Sequence, residues 1–154
     1  MHAFSLSAGA IVVRGSQVLL VKHNYGPTKG RWDFIRGYVE PQETIDQAVE
    51  REVYEETGIR SSAGRIIAVR QQVKSGRNDV LLIWAMHYLS GEPRPDGREI
   101  SDARFFGQEE MEACPEIGGW AKEVIKVAQT PGGLARHPYV PKGADDTAWK
   151  FFSI

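Results

Sequence analysis

The sequence predicts an α/β domain, and three observations support this. The chain has 154 residues, which is enough for one domain with a substantial core. Strand-like runs precede and follow residues 45–57, a stretch without Gly or Pro that has helical periodicity. A second helical stretch lies at residues 108–129. We therefore expect a single domain over residues 1–154, with helices covering a sheet.

Composition narrows the partners and the compartment. The net charge is −1, which gives no overall bias toward nucleic acid or a membrane surface. No stretch approaches the roughly 18 consecutive apolar residues of a membrane-spanning helix, and the N-terminus does not resemble a signal peptide. The single cysteine, Cys114, excludes an internal disulfide framework and fits a reducing compartment. We therefore expect a cytoplasmic protein with no membrane or nucleic-acid partner.

Strands dominate the first part of the chain. Residues 4–13 and 17–23 are β-branched, apolar runs that predict two strands. Residues 24–31 form a loop with two Gly, one Pro and two cations, and residues 32–35 predict a short strand. A loop at residues 37–43 then leads to the first helix.

The helix at residues 45–57 has clear start and stop signals. Thr44 can cap the N-terminus, and Gln47 three residues later completes a capping box. Gly58 is the residue type that commonly ends a helix.

Acidic residues continue the apolar stripe of this helix. At about 100° per residue, Glu52 and Glu56 fall in line with the stripe, and Glu55 flanks it. The C-terminal end of a helix and partial burial both disfavour negative charge, so a bound cation would stabilise the three carboxylates. Oxygen ligands suit Mg²⁺ or Mn²⁺. The stripe is formed by Ile45, Ala48, Val49 and Val53, and the opposite face by Asp46, Gln47, Glu50, Tyr54 and Thr57.

An ordinary charged helix, with its glutamates paired to Arg51 or a distant Lys, is the alternative interpretation. The spacing from Gly37 to Ile59 favours the metal site. It reads G-x5-E-x7-R-E-V-x-E-E-x-G-I, which matches the Nudix box at every defined position. Chance would give such a match at roughly 10⁻⁸ per start position. The sequence therefore resembles the Nudix hydrolase superfamily.

This resemblance implies a fold and a reaction. The implied fold is an α/β/α sandwich, with a mixed central β-sheet between the box helix and a C-terminal helix. Family members cleave a nucleoside diphosphate linked to another group, by attack of water on phosphorus with a divalent metal. The match is strict over residues 37–59 and looser from about residue 5 to residue 127. Residues 131–154 form a C-terminal extension of unknown role.

The resemblance also implies roles for six residues. Three glutamates would bind Mg²⁺ or Mn²⁺ and act in catalysis, and a glycine carbonyl would add a metal ligand. An arginine would orient the acids, and a further glutamate would support the loop before the helix. The three metal-binding and catalytic glutamates are Glu52, Glu55 and Glu56. The glycine is Gly37, the arginine is Arg51, and the supporting glutamate is Glu43.

Residues near the box are candidates for substrate binding. Many family members read P-G-G before the box, whereas this chain reads I-R-G. Arg36 resembles the basic residue of the P-K-G variant of diadenosine polyphosphate and diphosphoinositol phosphate hydrolases. Arg36 would bind an extra phosphate or form a structural salt bridge. The loop residues Tyr25, Lys29 and Arg31 would contact phosphate or base, or simply be polar surface, and Tyr25, Trp32 or Trp84 would stack on a base.

The second half of the sheet carries a candidate fourth acid. Residues 65–73 and 80–89 predict strands, with a turn between them, and residues 103–106 predict a short strand after a loop at 90–98. His87, in the second run, is expected to be a core or cleft histidine rather than a general base. Many family members place a metal ligand or catalytic base between these last two strands. Glu99 is the candidate, with Glu92 and Asp102 as the next choices, and the base is then Glu52 or the acid near Glu99.

The C-terminal part predicts two helical pieces and an aromatic tail. Pro115 and Gly118 divide residues 108–129, and the second piece has an apolar side that includes Trp120. This piece should cover the sheet face away from the box helix, or lie beside that helix. Residues 130–143 predict a loop. The tail, with Trp149, Phe151 and Phe152, would pack on its own domain, on a second subunit in a homodimer, or over the substrate.

The expected function is a metal-dependent pyrophosphohydrolase that acts on a nucleotide-like small molecule. A dinucleoside polyphosphate is one candidate substrate. The alternatives are a house-cleaning nucleoside triphosphate pyrophosphatase and a non-catalytic nucleotide sensor. Substrate identity does not follow from these motifs, because the specificity of this superfamily lies in loops and strands without a fixed pattern.

Overall fold

A computed structural model describes residues 3–143, 145 and 151–154 of the chain. This part contains nine strands in one sheet and three helices. The strands are β1 Phe4–Arg14, β2 Gln17–His23, β3 Trp32–Asp33, β4 Ile35–Tyr38, β5 Arg60–Lys74, β6 Arg77–Ser90, β7 Ile100–Phe106, β8 Leu134–His137 and β9 Phe151–Ser153. The helices are α1 Ile45–Thr57, α2 Gln108–Ala113 and α3 Gly119–Gln129.

The sheet is mixed, as the resemblance implies. Its main order is β3-β2-β1-β6-β5-β8-β9, with β4 paired to β1 and β7 paired to β2. The first and sixth strands run parallel over ten paired positions, whereas the other named pairs are antiparallel. The long parallel pair places β1 at the centre of the molecule, next to both β4 and β6.

Helices cover both faces of the sheet. Because side chains alternate along a strand, Val12 and Ile11 of β1 enter two different buried clusters. The cluster of Val12 contains Ala48, Val49 and Val53 of α1, and the cluster of Ile11 contains buried residues of α2 and α3. The second C-terminal helix therefore covers the face away from α1, which confirms one of the two expected arrangements. Within the described ranges, no helix is both long enough and apolar enough to span a membrane.

The first helix begins and ends where the sequence predicts. The Thr44 N–H donates to Gln47 Oε1 at 2.9 Å, which is part of the predicted capping box. At the other end, Gly58 has a left-handed backbone with φ 71°, and its N–H donates to the Tyr54 carbonyl at 2.8 Å. Both contacts satisfy backbone groups that a helix end would otherwise leave without a partner.

Thr57 corrects the prediction for the polar face of this helix. Its side chain is buried rather than exposed. Its hydroxyl donates to the Val53 carbonyl at 2.6 Å and accepts the Ile59 N–H at 3.2 Å. Thr57 therefore links the last turn of α1 to the residues that follow the helix, because its hydroxyl donates one hydrogen bond and accepts another.

Several strands are longer than predicted, because polar residues are paired across the sheet. β5 begins at Arg60 rather than 65, and β6 begins at Arg77 rather than 80. The turn expected at 74–79 is confirmed at residues 75–76, whereas Lys74 and residues 77–79 extend the β5–β6 ladder. In the same way β4 includes Gly37, which pairs with Ala8, so the predicted loop at 37–43 begins two residues later.

The predicted loop at residues 130–143 contains a strand. β8 pairs with β5 through Leu134 and Ala135. The Arg65 guanidinium donates to the carbonyls of Ala128, Thr130 and Gly132, and this contact holds the chain beside β5.

The described part of the aromatic tail packs on its own domain, which is one of the three expected arrangements. The Phe152 ring lies 5.1 Å from the Trp84 ring in an edge-to-face contact. Trp149 lies outside the described residues.

Replacing Gly58 by Ala should lower the free energy of unfolding by about 1 kcal/mol, because a left-handed backbone is costly for a residue with a Cβ atom. Gly119→Ala is the matched control, since an added Cβ there meets nothing within 4 Å and the backbone is not left-handed. Urea denaturation measures both variants. Equal unfolding free energies for the two variants would contradict the role given to Gly58.

Candidate active site

The acidic residues of α1 lie against β4. The apolar residues of α1 fix the helix on the sheet, so the same face carries Glu52 and Glu56 toward the strand. A Cβ atom added to Gly37 of β4 would overlap the Glu52 carboxyl group. Gly37 is therefore required for the close approach of strand and carboxylate rather than for its backbone angles.

Arg51 organises the cluster. It forms a two-pronged contact with Glu43, Nε to Oε2 at 3.0 Å and Nη2 to Oε1 at 2.7 Å. Its Nη1 donates to Glu52 at 2.8 Å and to Glu55 at 3.0 Å, and its Nη2 donates to the Tyr38 carbonyl at 3.1 Å. The hydrogen bond from Arg51 lowers the pKa of Glu43, and the contact with Glu43 is the largest cause that raises the pKa of Arg51.

The carboxyl group of Glu56 lacks the hydrogen bonds that Arg51 donates to the neighbouring glutamates. Its side chain is buried, and its Oε2 has no hydrogen-bond partner among the described residues. Burial raises the pKa of Glu56 to about 8, and the carboxylates of Glu52 and Glu99 add to the rise. Burial also raises the pKa of Glu52, although Arg51 opposes this. A buried carboxylate in this state is costly unless a cation approaches it.

The residues fit a divalent cation. Glu56 offers an unpaired buried oxygen, and Arg51 contacts one oxygen of Glu52 and one of Glu55. An all-oxygen set of this kind suits Mg²⁺ or Mn²⁺. In the described residues, however, no three acidic, His or Cys side chains are already gathered at metal-binding distance. The structure thus combines the two interpretations of the helix, a charged helix paired with Arg51 and a metal site. Arg51 donates to Glu52 and Glu55 but not to Glu56, which remains available to a metal.

Glu99 faces this cluster from the loop between β6 and β7. The Asn24 N–H donates to the Glu99 carbonyl at 2.9 Å, which joins this loop to the loop after β2. The two other candidate acids lie elsewhere. Glu92 pairs with Arg14 at 3.3 Å, and Asp102 accepts the Ala103 N–H.

Asp96 also lines the cleft, although sequence reasoning missed it. Its Oδ1 accepts the N–H groups of Arg98 and Ile100, so it shapes the loop that carries Glu99. A turn-forming Asp in a Pro/Gly-rich loop was a possible signal.

Two lobes of one cleft meet at the acids. The acidic lobe has a volume of about 720 Å³, and the sheet lobe, over the α3 side of the sheet, has a volume of about 660 Å³. Tyr25, Arg36, Gly37, Tyr38, Glu56 and Glu99 line both lobes. The acidic lobe further includes Arg51, Glu52, Glu55 and Asp96, and the sheet lobe further includes Ser7, Arg70, Gln72, Asp79 and Trp120.

Arg36 stands at the junction and is anchored from below. Its Nη2 donates to Asp33 Oδ2 at 3.0 Å, which is the structural salt bridge that the sequence left as one alternative. His23 Nε2 lies 4.0 Å from the same oxygen. Burial lowers the pKa of His23 and raises the pKa of Asp33. The Arg36 side chain remains about one-third exposed and lines both lobes.

The remaining candidates divide between the cleft and other regions. Tyr25 lines both lobes, and Glu99 is the largest cause that raises the pKa of its hydroxyl. Lys29 and Arg31 are not brought to either lobe. Trp32 and Trp84 are 5% and 1% exposed, so the expectation that they stack on a base is wrong.

A different tryptophan, Trp120, is exposed in the cleft. Trp120 is 45% exposed and lines the sheet lobe, although its apolar neighbours suggested a core residue. His87 is exposed on β6 and lines neither lobe, so its expected place in the core or cleft is wrong.

Comparison with known proteins decides the family. A family model described as the NUDIX domain matches residues 3–128. The chain belongs to the Nudix family. It is 35% identical over 119 residues to the NAD-capped RNA hydrolase NudC of Haemophilus influenzae (strain PittEE), covering 75% of this chain and 44% of that protein. The chain therefore spans less than half the length of that curated relative.

Solved structures share the Nudix fold. A NUDIX hydrolase from Nitrosomonas europaea is 26% identical with a TM-score of 0.71, covering 82% of this chain and 70% of that chain. A MutT NUDIX hydrolase from Burkholderia pseudomallei is 26% identical with a TM-score of 0.68, covering 83% and 98%. The predicted α/β/α sandwich is confirmed.

Glu56→Gln should stabilise the metal-free Nudix domain more at pH 8 than at pH 5. The carboxyl has an ordinary pKa of 4.5 when unfolded and a pKa of about 8 when folded. The folded state thus holds the proton more tightly, and the stability due to the neutral form is lost as pH rises toward 8. Thermal unfolding in EDTA at both pH values measures the effect.

Glu109→Gln is the control for this experiment, since Glu109 is an exposed carboxylate outside both lobes. Subtracting its shift in melting temperature at each pH removes the general effect of losing one negative charge. A gain from Glu56→Gln that is the same at pH 5 and pH 8 would show that Glu56 is not held neutral by burial.

Proposed function

We propose that this Nudix domain hydrolyses the diphosphate bond of a nucleoside diphosphate linked to another group, with dinucleotides of the NAD type as preferred substrates. The buried, unpaired Glu56 at the junction of the two lobes carries this proposal. A dinucleotide has a diphosphate between two nucleosides. Its diphosphate would lie at the junction, with one nucleoside in each lobe.

The charge distribution supports a metal-bound diphosphate. Glu52, Glu55 and Glu56, with the Gly37 carbonyl, would hold Mg²⁺ or Mn²⁺. When bound, the cation would acidify water and neutralise charge on the phosphoryl oxygens. Without it, the carboxylates would repel the diphosphate.

Other residues orient the reacting groups. Arg51 holds Glu52 and Glu55 in place through the contacts described above. Arg36, anchored by Asp33, would bind a phosphate oxygen with its exposed side. The hydroxyl of Tyr25 lies close enough to Glu99 to interact with its carboxylate and would help to position it.

The base is Glu99 in this proposal, although the sequence left Glu52 as an alternative. Arg51 already binds one oxygen of Glu52, and this carboxylate would also hold the metal, so fewer of its lone pairs are free to accept a proton. Glu99 stands across the cleft from the α1 acids and would accept the proton of the attacking water.

The relatives and the composition support a small dinucleotide. The H. influenzae relative is named as a hydrolase of NAD-capped RNA. The net charge of −1 favours the free dinucleotide over RNA.

Cys114, as the single cysteine, supports a cytoplasmic location, which a fluorescent fusion would test.

A substrate panel tests the proposed reaction. It would contain NAD, NADH, an NAD-capped RNA, a dinucleoside polyphosphate, ADP-ribose and the nucleoside triphosphates, each with Mg²⁺, Mn²⁺ or chelator. We expect metal-dependent conversion of NAD or NADH to two mononucleotides, identified by mass spectrometry. Glu56→Gln should lower turnover by more than roughly 100-fold, since even the outer partners of metal ligands contribute about 10–100-fold. Glu109→Gln, the matched control outside the cleft, should retain wild-type turnover.

Each other result has a defined meaning. Release of pyrophosphate from nucleoside triphosphates alone would replace the proposal by a triphosphate pyrophosphatase. Turnover of Glu56→Gln within a few-fold of wild type would remove Glu56 from the metal site. Binding of nucleotides without any hydrolysis would favour the nucleotide-sensor alternative.

A further inference from the structure

A row of residues paired across four strands extends along the sheet lobe, away from the acids. The strand registers align Tyr38 of β4 with Ser7 of β1, then Leu81 of β6, then Arg70 of β5. Leu81 belongs to the buried cluster on the α3 side, so the row faces the sheet lobe. Three strand spacings separate the ends of the row, which is about 14 Å. A nucleoside can bridge this distance from the junction, but a lone phosphate cannot.

Arg70 is held in one orientation at the far end of this row. Its Nη2 donates to Asp79 Oδ2 at 2.7 Å, and its Nη1 donates to Gln72 Oε1 at 2.7 Å. Asp79 is itself fixed, because its Oδ1 accepts the hydroxyl of Ser5 at 2.6 Å and that of Ser7 at 3.3 Å. These donors also lower the pKa of Asp79, so the pair stays ionic.

The pairing determines which ligand chemistry suits Arg70. Asp79 compensates the positive charge of Arg70 and itself lines the sheet lobe, so its carboxylate would repel a phosphate at this position. Asp33, which pairs with Arg36, lines neither lobe. The guanidinium has five N–H groups, and those not used by Asp79 and Gln72 remain in a fixed, planar arrangement. Such a group matches the neutral acceptor atoms on the edge of a nucleobase, either a ring nitrogen or a carbonyl oxygen, since each of its free N–H groups can donate one hydrogen bond.

Trp120 provides the apolar surface that a base requires. It is 45% exposed at the start of α3 and lines the same lobe as Arg70. Its ring lies 6.5 Å from that of Phe34, which packs beneath it in the core. Stacking on an aromatic ring tolerates every base, so Trp120 would supply affinity while Arg70 supplies selection.

We propose that the sheet lobe is a nucleobase subsite in which Arg70, positioned by Asp79, reads the acceptor edge of the base and Trp120 stacks on its face. This subsite rests on the proposed function, which places the diphosphate at the junction. It selects for a base that presents an acceptor atom to Arg70, such as a ring nitrogen of the adenine in a dinucleotide of the NAD type, over a base that presents a donor there. The selectivity of this Nudix domain therefore resides on the β5–β6 hairpin, outside the box.

Calorimetric binding of AMP, GMP, CMP and UMP with Mg²⁺ tests the subsite. These mononucleotides lack the bond to be hydrolysed, so the readout does not depend on catalysis. Wild type should prefer one base by about 10-fold or more, which is the scale of a charge-assisted hydrogen bond. Arg70→Lys should reduce this preference to less than about 3-fold, because an ammonium retains the pairing with Asp79 but loses the planar fork.

Three further variants separate the roles. Asp79→Asn should reduce the preference while leaving the position of Trp120 unchanged. Trp120→Ala should weaken all four mononucleotides by about 10-fold and retain the preference. Arg60→Ala is the matched control on the same strand, since the Arg60 guanidinium lies over the exposed Tyr54 ring outside the cleft, and it should bind as wild type does. Thermal unfolding verifies that each variant is folded.

The outcomes distinguish this subsite from the reaction. Absence of a base preference in wild type, or an unchanged preference in folded Arg70→Lys, would overturn the subsite. A base preference that depends on Arg70, in a protein that hydrolyses nothing in the substrate panel, would support the subsite and refute the proposed reaction. Metal-dependent hydrolysis with equal use of all bases would do the reverse.

Discussion

The carboxylate of Glu56 imposes the central constraint on this structure. The apolar residues of α1 place it beneath the cleft, where water does not compensate its charge. Arg51 is fully engaged by Glu43, Glu52, Glu55 and the Tyr38 carbonyl, so it does not neutralise Glu56 as well. The position is tolerable when the carboxyl is protonated or when a cation binds. Burial thus links a folding requirement directly to metal binding.

The rest of the cleft follows from the same geometry. Gly37 must lack a side chain, because the Glu52 carboxyl group lies where a Cβ would be. The loop after β2 and the loop before β7 are joined by a backbone hydrogen bond, and they bring Tyr25 and Glu99 over the acids. The cleft then continues across β1, β6 and β5 to the Arg70–Asp79 pair. The acids of α1 are suited to metal-dependent hydrolysis of a diphosphate, whereas β5 and β6 are suited to selection of the substrate base.

Local and distant features differed in how far the sequence predicted them. The helix at 45–57, its caps and the inward direction of Glu52 and Glu56 follow from short-range periodicity, and they were correct. The positions of Arg70, Asp79 and Trp120 depend on strand register and helix packing over long sequence separations. No local pattern encodes those contacts. The exchange of roles between Trp32, which is buried, and Trp120, which is exposed, has the same cause.

Titration calorimetry of Mg²⁺ binding at pH 7, in buffers of different ionisation enthalpy, tests the central claim most directly. Glu56, with a pKa of about 8 in the metal-free state, is mostly protonated at this pH. The account predicts that Mg²⁺ binding releases close to one proton, about 1 per site, and that Glu56→Gln loses both the release and most of the affinity. Equal Mg²⁺ affinity in both proteins, with no proton released by wild type, would contradict the account.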